Sequence, residues 1–317
     1  MALSSARAAL LAALVAVGCT RTPAAGPSPA VAADLLIRGG TVYDGGGGLP
    51  YPADVAVLGD SVIAVDRGRR TVARDTLDAR GLAVAPGFIN MLSWGYDELL
   101  HDGRGESELR QGVTLEIFGE GQSPGPVNQR VARELLARGD TVALWGFGEA
   151  LDSLAARGLS MNVASFVGAT TLRLHEIGAG DRAPTPAELA RMQALVRRAM
   201  EEGALGVGTS LIYPPASYSS TAELVALARA SAPYGGVYIS HLRGEGDRLL
   251  EAADELLAIA REAGVAAEIY HIKAAGADNW GKFDALLAKI DSARNAGLRI
   301  TADMYTYPAS STGLSSR

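Results

Sequence analysis

Two of the four histidines close strand-like apolar runs: VYISH ends at His241 and EIYH at His271. They stand 30 residues apart, about one strand–helix–strand repeat. Neutral imidazoles carried at one level by adjacent rigid strands are close enough to share a metal ion, and zinc takes such nitrogen donors. The bland alternative is that each histidine is a satisfied core or loop residue. For one histidine alone that alternative wins; for two at equivalent strand ends the ligand reading wins.

The elements that must position them follow from the pattern of the chain. At 317 residues it exceeds the ~100–200 residues of a typical domain, and 48% hydrophobic with 20% charged residues describes a globular chain with a sizeable core. A net charge of −6 leaves no basic footprint, which argues against a nucleic-acid partner. Residues 33–86 read as a small β domain: DLLIRGGTVYD, ADVAVLGDSVIAVD and TLDARGLAVAPG alternate and are punctuated by Gly and Asp.

Apolar runs then recur at 82–92, 113–118, 162–168, 204–210, 236–241, 266–271 and 299–305, with amphipathic helical patterns between them. Thr185-Pro186-Ala187-Glu188 and Ser220-Thr221-Ala222-Glu223 both read as capping boxes, and the helix over 247–264 stops at Gly264. Fully apolar strands separated by helices form a parallel sheet covered on both faces. A doubly wound sheet and a (β/α)8 barrel both satisfy that. No G-x-G-x-x-G follows an early strand, so the barrel is preferred. About seven barrel strands are countable over 87–317, where closure takes eight, and the chain stops at STGLSSR straight after the last. The fold class expected is therefore α/β: an incomplete (β/α)8 barrel behind a small N-terminal β-sandwich. Barrel strands meet at one mouth by their C-terminal ends, where His241 and His271 lie.

The N-terminus has its own signal. Residues 3–18, LSSARAALLAALVAVG, are a short apolar stretch with Arg7 ahead of it, too short for a comfortable membrane span. It ends A-V-G-Cys19, which resembles a bacterial lipoprotein lipobox; an ordinary secretory signal with Cys19 incidental is the other reading. Cys19 is the single cysteine, so no intrachain disulfide framework exists. Residues 1–19 are read as the leader and 20–32 as a Pro/Ala-rich tether. An exported protein is expected, periplasmic or membrane-anchored, touching the membrane only through lipid.

Taken in order, LLIRGGTVYDG, DARGLAVAPGFIN, EEGALGVGTSLIYPPASYSST, ISHLRGEGDRLLEA, HIKAAG and ADMYTYPASSTGL resemble the D-aminoacylase (N-acyl-D-amino-acid deacylase) group of the amidohydrolase superfamily. The resemblance runs from Ala33 onward. It implies a zinc-dependent barrel hydrolysing the amide of an N-acylated D-amino acid, a small-molecule substrate. It makes His241 and His271 zinc ligands and places Tyr305 and Ser311 against substrate. The chain also departs from that group. After GFIN stand Leu92 and Trp94 where relatives have an H-x-H pair, so one zinc is expected rather than two. FGEGQ replaces a cysteine-bearing segment, with Gly121 nearest the cysteine position and Glu120 beside it. Glu120 completes a His₂Glu set, or is a solvated loop glutamate. Ala169 stands where relatives often have histidine. The catalytic aspartate that relatives carry after strand eight is expected beyond Arg317, and Asp303 in strand seven is a poor substitute by position.

Weaker candidates surround the pair. Lys273 could hold a substrate carboxylate or simply be solvated. Tyr213, in IYPPASYSS (212–220), could close over an acyl group. Arg243 and Glu245 share the His241 rim and are read as orienting it, while His101 and His175 are read as bland. Three functions stay open: a zinc hydrolase of C–N bonds, a degenerate relative that binds metal or an acylated ligand without turnover, and a carbohydrate-active barrel, for which no paired-carboxylate signal exists.

Overall fold

Alternation of apolar residues from Val31 onward produces the first sheet. In this computed structural model the described residues are 31–66, 71–137, 144–307 and 309–312. The chain divides into two units between Pro86 and Gly87. In the first, β1 (Val31–Val42), β2 (Tyr51–Leu58), β3 (Ser61–Asp66) and β4 (Thr71–Asp78) lie in the order β3-β2-β1-β4, with β5 (Ala83–Val84) also on β1. β1 runs antiparallel to β2 but parallel to β4 and β5. Leu36, Ala33 and Ala56 form the buried centre of one face.

Among the described residues the first unit is one mixed sheet; alternation marks a strand with two unlike faces but does not say whether a second sheet covers one of them. The tether does not extend to residue 32, because Val31 and Ala32 pair with Thr71 and Val72 in the parallel ladder. The leader and the tether up to residue 30 lie outside the described residues. Among the described residues no helix is long and apolar enough to cross a membrane.

The second unit carries β6 (Phe88–Asn90), β7 (Val113–Phe118), β8 (Asn162–Ser165), β9 (Val167–Gly168), β10 (Gly206–Ser210), β11 (Val237–His241), β12 (Ala266–Ile269) and β13 (Ile300–Ala302). All pair in parallel, in the orders β6-β7-β8 and β13-β12-β11-β10-β9. Only Phe166 separates β8 from β9, so together they make one strand position. Phe166 N–H reaches the Phe118 carbonyl at 2.9 Å, and Leu205 N–H reaches that of Ser165 at 3.0 Å, joining the two ladders. The described residues thus hold seven parallel strand positions and no closed barrel.

Helices α1 (Tyr96–His101), α2 (Glu106–Leu109), α3 (Gln129–Ala137), α4 (Phe147–Arg157), α5 (Ala169–Glu176), α6 (Pro186–Glu201), α7 (Thr221–Ser231), α8 (Leu249–Ala263) and α9 (Phe283–Asn295) connect the strands. Leu172, Val196, Leu227 and Leu256 from four of them pack on Val207 and Tyr238 of the sheet. The opposite face buries Ile117, Phe166, Ile239 and Tyr270. Burial on both faces is why these strands read as unbroken apolar runs. Gly206 is glycine for close approach: a Cβ there would run into the Val237 carbonyl.

The two caps diverge. Thr185 and Glu188 form the reciprocal box, with Glu188 N–H on Thr185 Oγ1 at 3.3 Å and Thr185 N–H on Glu188 Oε2 at 2.8 Å. Ser220 accepts from Glu223 N–H at 3.2 Å, but the Glu223 carboxylate does not reach back. It pairs instead with Arg173, whose guanidinium is fully buried, through two 2.9 Å bonds. A buried arginine outcompetes a backbone N–H for that charge.

Candidate metal centre

Along β11 side chains alternate, so Tyr238 and Ser240 face the helices while Ile239 and His241 face inward. Parallel register pairs Ser240 with Ile269, which makes Tyr270 the inward neighbour of His241. Alternation alone would send His271 outward. It is turned back by a left-handed backbone: His271 has φ of 37°, the sole non-glycine with positive φ among the described residues. That conformation costs roughly 1–3 kcal/mol and is held from outside. Asp303 Oδ1 accepts His271 N–H at 2.7 Å, and the Asp303 carbonyl accepts Ile272 N–H at 3.0 Å. The two histidines are therefore not at equivalent strand positions, yet their rings stand 4.4 Å apart, edge to face.

Glu120 arrives from the end of β7 between Gly119 (φ 109°) and Gly121 (φ 74°), a turn that L side chains resist on both sides. It is buried. Its Oε1 lies 2.9 Å from His241 Nδ1 and 3.5 Å from His271 Nε2, and the two imidazole nitrogens are 3.1 Å apart. These three donors form the only such group of three or more His, Cys, Asp or Glu among the described residues. Donors ~2.0–2.1 Å from a tetrahedral zinc stand about 3.3 Å from one another. The measured separations bracket that value, so the residues present suit the ion.

The charges are arranged to match. Burial pushes the Glu120 carboxyl up, but hydrogen bonds from His241, His271 and Trp94 outweigh it and bring it down to about 2. Burial likewise opposes charge on His271, and its bonds to Glu120 and Glu245 still raise it to about 9. Glu245 is lowered despite burial, through His271, His241 and Lys273. Burial pushes the Tyr270 phenol well above its ordinary value, with the Glu120 and Asp303 charges adding to it.

Glu245 faces the far nitrogens of both rings, 3.1 Å from His271 Nδ1 and 3.6 Å from His241 Nε2. An acceptor at His271 Nδ1 favours the tautomer that leaves its Nε2 free for an ion, although Lys273 Nζ also comes within 2.8 Å of that Nδ1. His241 Nε2, at 3.6 Å, makes no hydrogen bond to Glu245. Lys273 Nζ donates to Glu245 at 2.8 Å and stands 5.7 Å from the centre of the Tyr305 ring. Tyr213 packs its ring 5.4 Å from that of His241, and its hydroxyl is 3.0 Å from Thr312 Oγ1. Ser311, exposed, is next to that residue. Arg243 does not orient His241: it binds Glu255 at 2.8 Å and the carbonyls of Ser217 and Ser219, tying down the loop that carries Tyr213. His101 and His175 lie elsewhere, on Asp97 and Glu176. Trp94 went unrecognised as a partner: its indole N–H donates to Glu120 Oε2 at 2.7 Å. No local signal marks that contact, which spans 26 residues.

No family model matches the chain. It is 37% identical over 284 residues to an N-acyl-D-glutamate deacylase of Alcaligenes xylosoxydans xylosoxydans, covering 88% of this chain and 58% of that protein. A D-aminoacylase of the same organism is 35% identical over 285 residues, covering 89% and 59%. Solved D-aminoacylase, described as defining a novel subset of amidohydrolases, superposes with a TM-score of 0.78 at 34% identity, covering 86% of this chain and 58% of that one. The chain is a relative of the D-aminoacylase group of amidohydrolases. It spans nearly three-fifths of the length of these relatives. A Bordetella bronchiseptica N-acyl-D-glutamate deacylase, solved with zinc and a phosphonate mimic of the tetrahedral intermediate, superposes at 0.74 with 35% identity, covering 87% of this chain and 59% of that one.

Proposed function

We propose that Glu120, His241 and His271 bind one zinc ion and that the site hydrolyses the amide bond of an N-acyl-D-amino acid. The observation that carries this is the convergence of three donor atoms from three separate elements within 3.5 Å of one another. The likeness to N-acyl-D-amino-acid deacylases supports the substrate class. A zinc ion so held supplies carbonyl polarisation and an acidified water, with pKa near ~7. His241 and His271 offer their inner nitrogens, and Glu245 stands at the outer nitrogen of His271. Lys273, beside Tyr305, provides the positive charge that suits the substrate carboxylate, while Tyr213 and Ser311 flank the mouth for the rest of the substrate. We also read the seven strands as part of a (β/α)8 barrel, in keeping with the structural likeness.

The test joins metal analysis to turnover. Purified chain should carry about one zinc, falling sharply in His241→Ala and His271→Ala, and whatever turnover it shows should favour N-acetyl-D-glutamate or N-acetyl-D-methionine over the L-enantiomers. Undiminished zinc in both variants, or equal turnover of the enantiomers, would overturn the proposal.

A further inference from the structure

Glu120 spends its two oxygens on different partners. Oε1 faces His241 and His271, and Oε2 accepts the Trp94 indole N–H at 2.7 Å. Trp94 is 59% exposed as a residue, while the one polar atom of its side chain turns to Glu120. The segment that presents it is fixed to β7 at several points. Ser93 N–H donates to the Ile117 carbonyl at 2.8 Å. Ser93 Oγ donates to the buried Glu116 carboxylate at 2.6 Å and accepts Gly95 N–H at 3.0 Å. Trp94 thus sits on a braced turn, one residue from each of two anchors, rather than on a free loop.

We propose that Trp94 is a positioning residue that holds Glu120 to one-oxygen coordination and keeps the centre to a single ion. This rests on the one-zinc reading above. A carboxylate that chelates one ion uses both oxygens; here the second already accepts a charge-assisted hydrogen bond at 2.7 Å, which competes with a second metal contact. Leu92, on the same segment, packs against the cluster of Ile117, Phe166, Ile239 and Tyr270 and offers no metal donor. Solved D-aminoacylase, by contrast, is described as having a binuclear metal centre with one-metal activation and second-metal attenuation. In this chain an indole N–H occupies the Glu120 oxygen for which a second ion would have to compete.

The experiment uses Co²⁺ as a spectroscopic probe of the full chain, with affinity, stoichiometry and visible absorption read together. Wild type should bind one Co²⁺ with the intense absorption of a four-coordinate ion. Trp94→Phe should lose affinity about 10- to 100-fold, the range for losing an outer-shell partner of a ligand, and its absorption should weaken as both oxygens reach the ion. Trp94→Gln, which restores an N–H donor without the ring, should recover part of both. Unchanged affinity and spectrum in Trp94→Phe would overturn the inference while leaving the zinc site standing. Wild-type binding in Glu120→Gln and His241→Ala would instead sink the underlying metal reading. A second measurement needs no variant. In protein labelled with ¹⁵N at the tryptophan indoles, the Trp94 N–H should stay hydrogen-bonded and slow to exchange on saturation with Zn²⁺. Its shift to a solvent-exposed position would refute the proposal.

Discussion

Replacing Glu223 by glutamine removes the counter-charge from an arginine that has no access to solvent. Arg173 donates twice to Glu223 at 2.9 Å and reaches the carbonyls of Gly180 and Arg182 with its other terminal nitrogen. Glutamine keeps the shape and one acceptor but leaves the guanidinium charge uncompensated in the core. Breaking a buried pair from one side costs roughly 3–5 kcal/mol. At an m of about 3 kcal/mol/M in urea, the unfolding midpoint should fall by about 1 M or more. Replacing both partners, as Arg173→Met with Glu223→Met, removes the buried charge altogether and should recover most of the loss, since apolar substitutes for buried pairs are often neutral or better. Urea titration followed by circular dichroism on the three variants supplies the cycle. The reasoning is refuted if Glu223→Gln costs less than about 1 kcal/mol, or if the double variant is as unstable as the single, because the loss would then be packing and not an unpaired charge. Ser219 Oγ also donates to Glu223 at 3.1 Å, so the Tyr213 loop should become more protease-sensitive in the single variant.

Asp303→Ala removes the acceptor that steadies the left-handed His271 backbone, so zinc affinity by calorimetry should drop about tenfold or more while the other ligands remain; unaltered affinity would show that the conformation holds itself. In zinc-free protein, His271 raised to about 9 from 6.5 contributes stability that is complete below pH 6.5 and lost as pH rises through about 9. Glu120, lowered from 4.5 to about 2, contributes above pH 4.5 and loses its share as pH falls toward 2. Urea midpoints in chelator should therefore fall between pH 6.5 and 9, and His271→Ala should flatten that fall; a flat wild-type profile contradicts the charge pairing. Lys273→Met should raise KM for N-acetyl-D-glutamate more than it lowers kcat, and an unmoved KM would remove Lys273 from substrate binding.

By itself, the sequence determined the alternation of buried strands and helices in the second unit, the Thr185 cap and the candidacy of His241 and His271, because each rests on a local period or a spacing within one repeat. The side-chain period even places His241 inward from VYISH alone. For His271 the same rule fails, since it points outward by alternation and is reversed by one left-handed residue that no glycine announces. The Ser220 box failed for a related reason: Glu223 is three residues from its cap but is claimed by Arg173, 50 residues away. Tertiary structure alone decided that Glu120 is a partner and not a solvated loop residue, because its distance to His241 spans 121 residues and depends on how neighbouring strands are registered. The contacts of Trp94 and Glu245 are visible only at the same level. A donor set is a property of where several strand ends meet, and the meeting point is fixed by sheet geometry and by strained or glycine turns at the rim, not by the neighbours of any one residue in the chain.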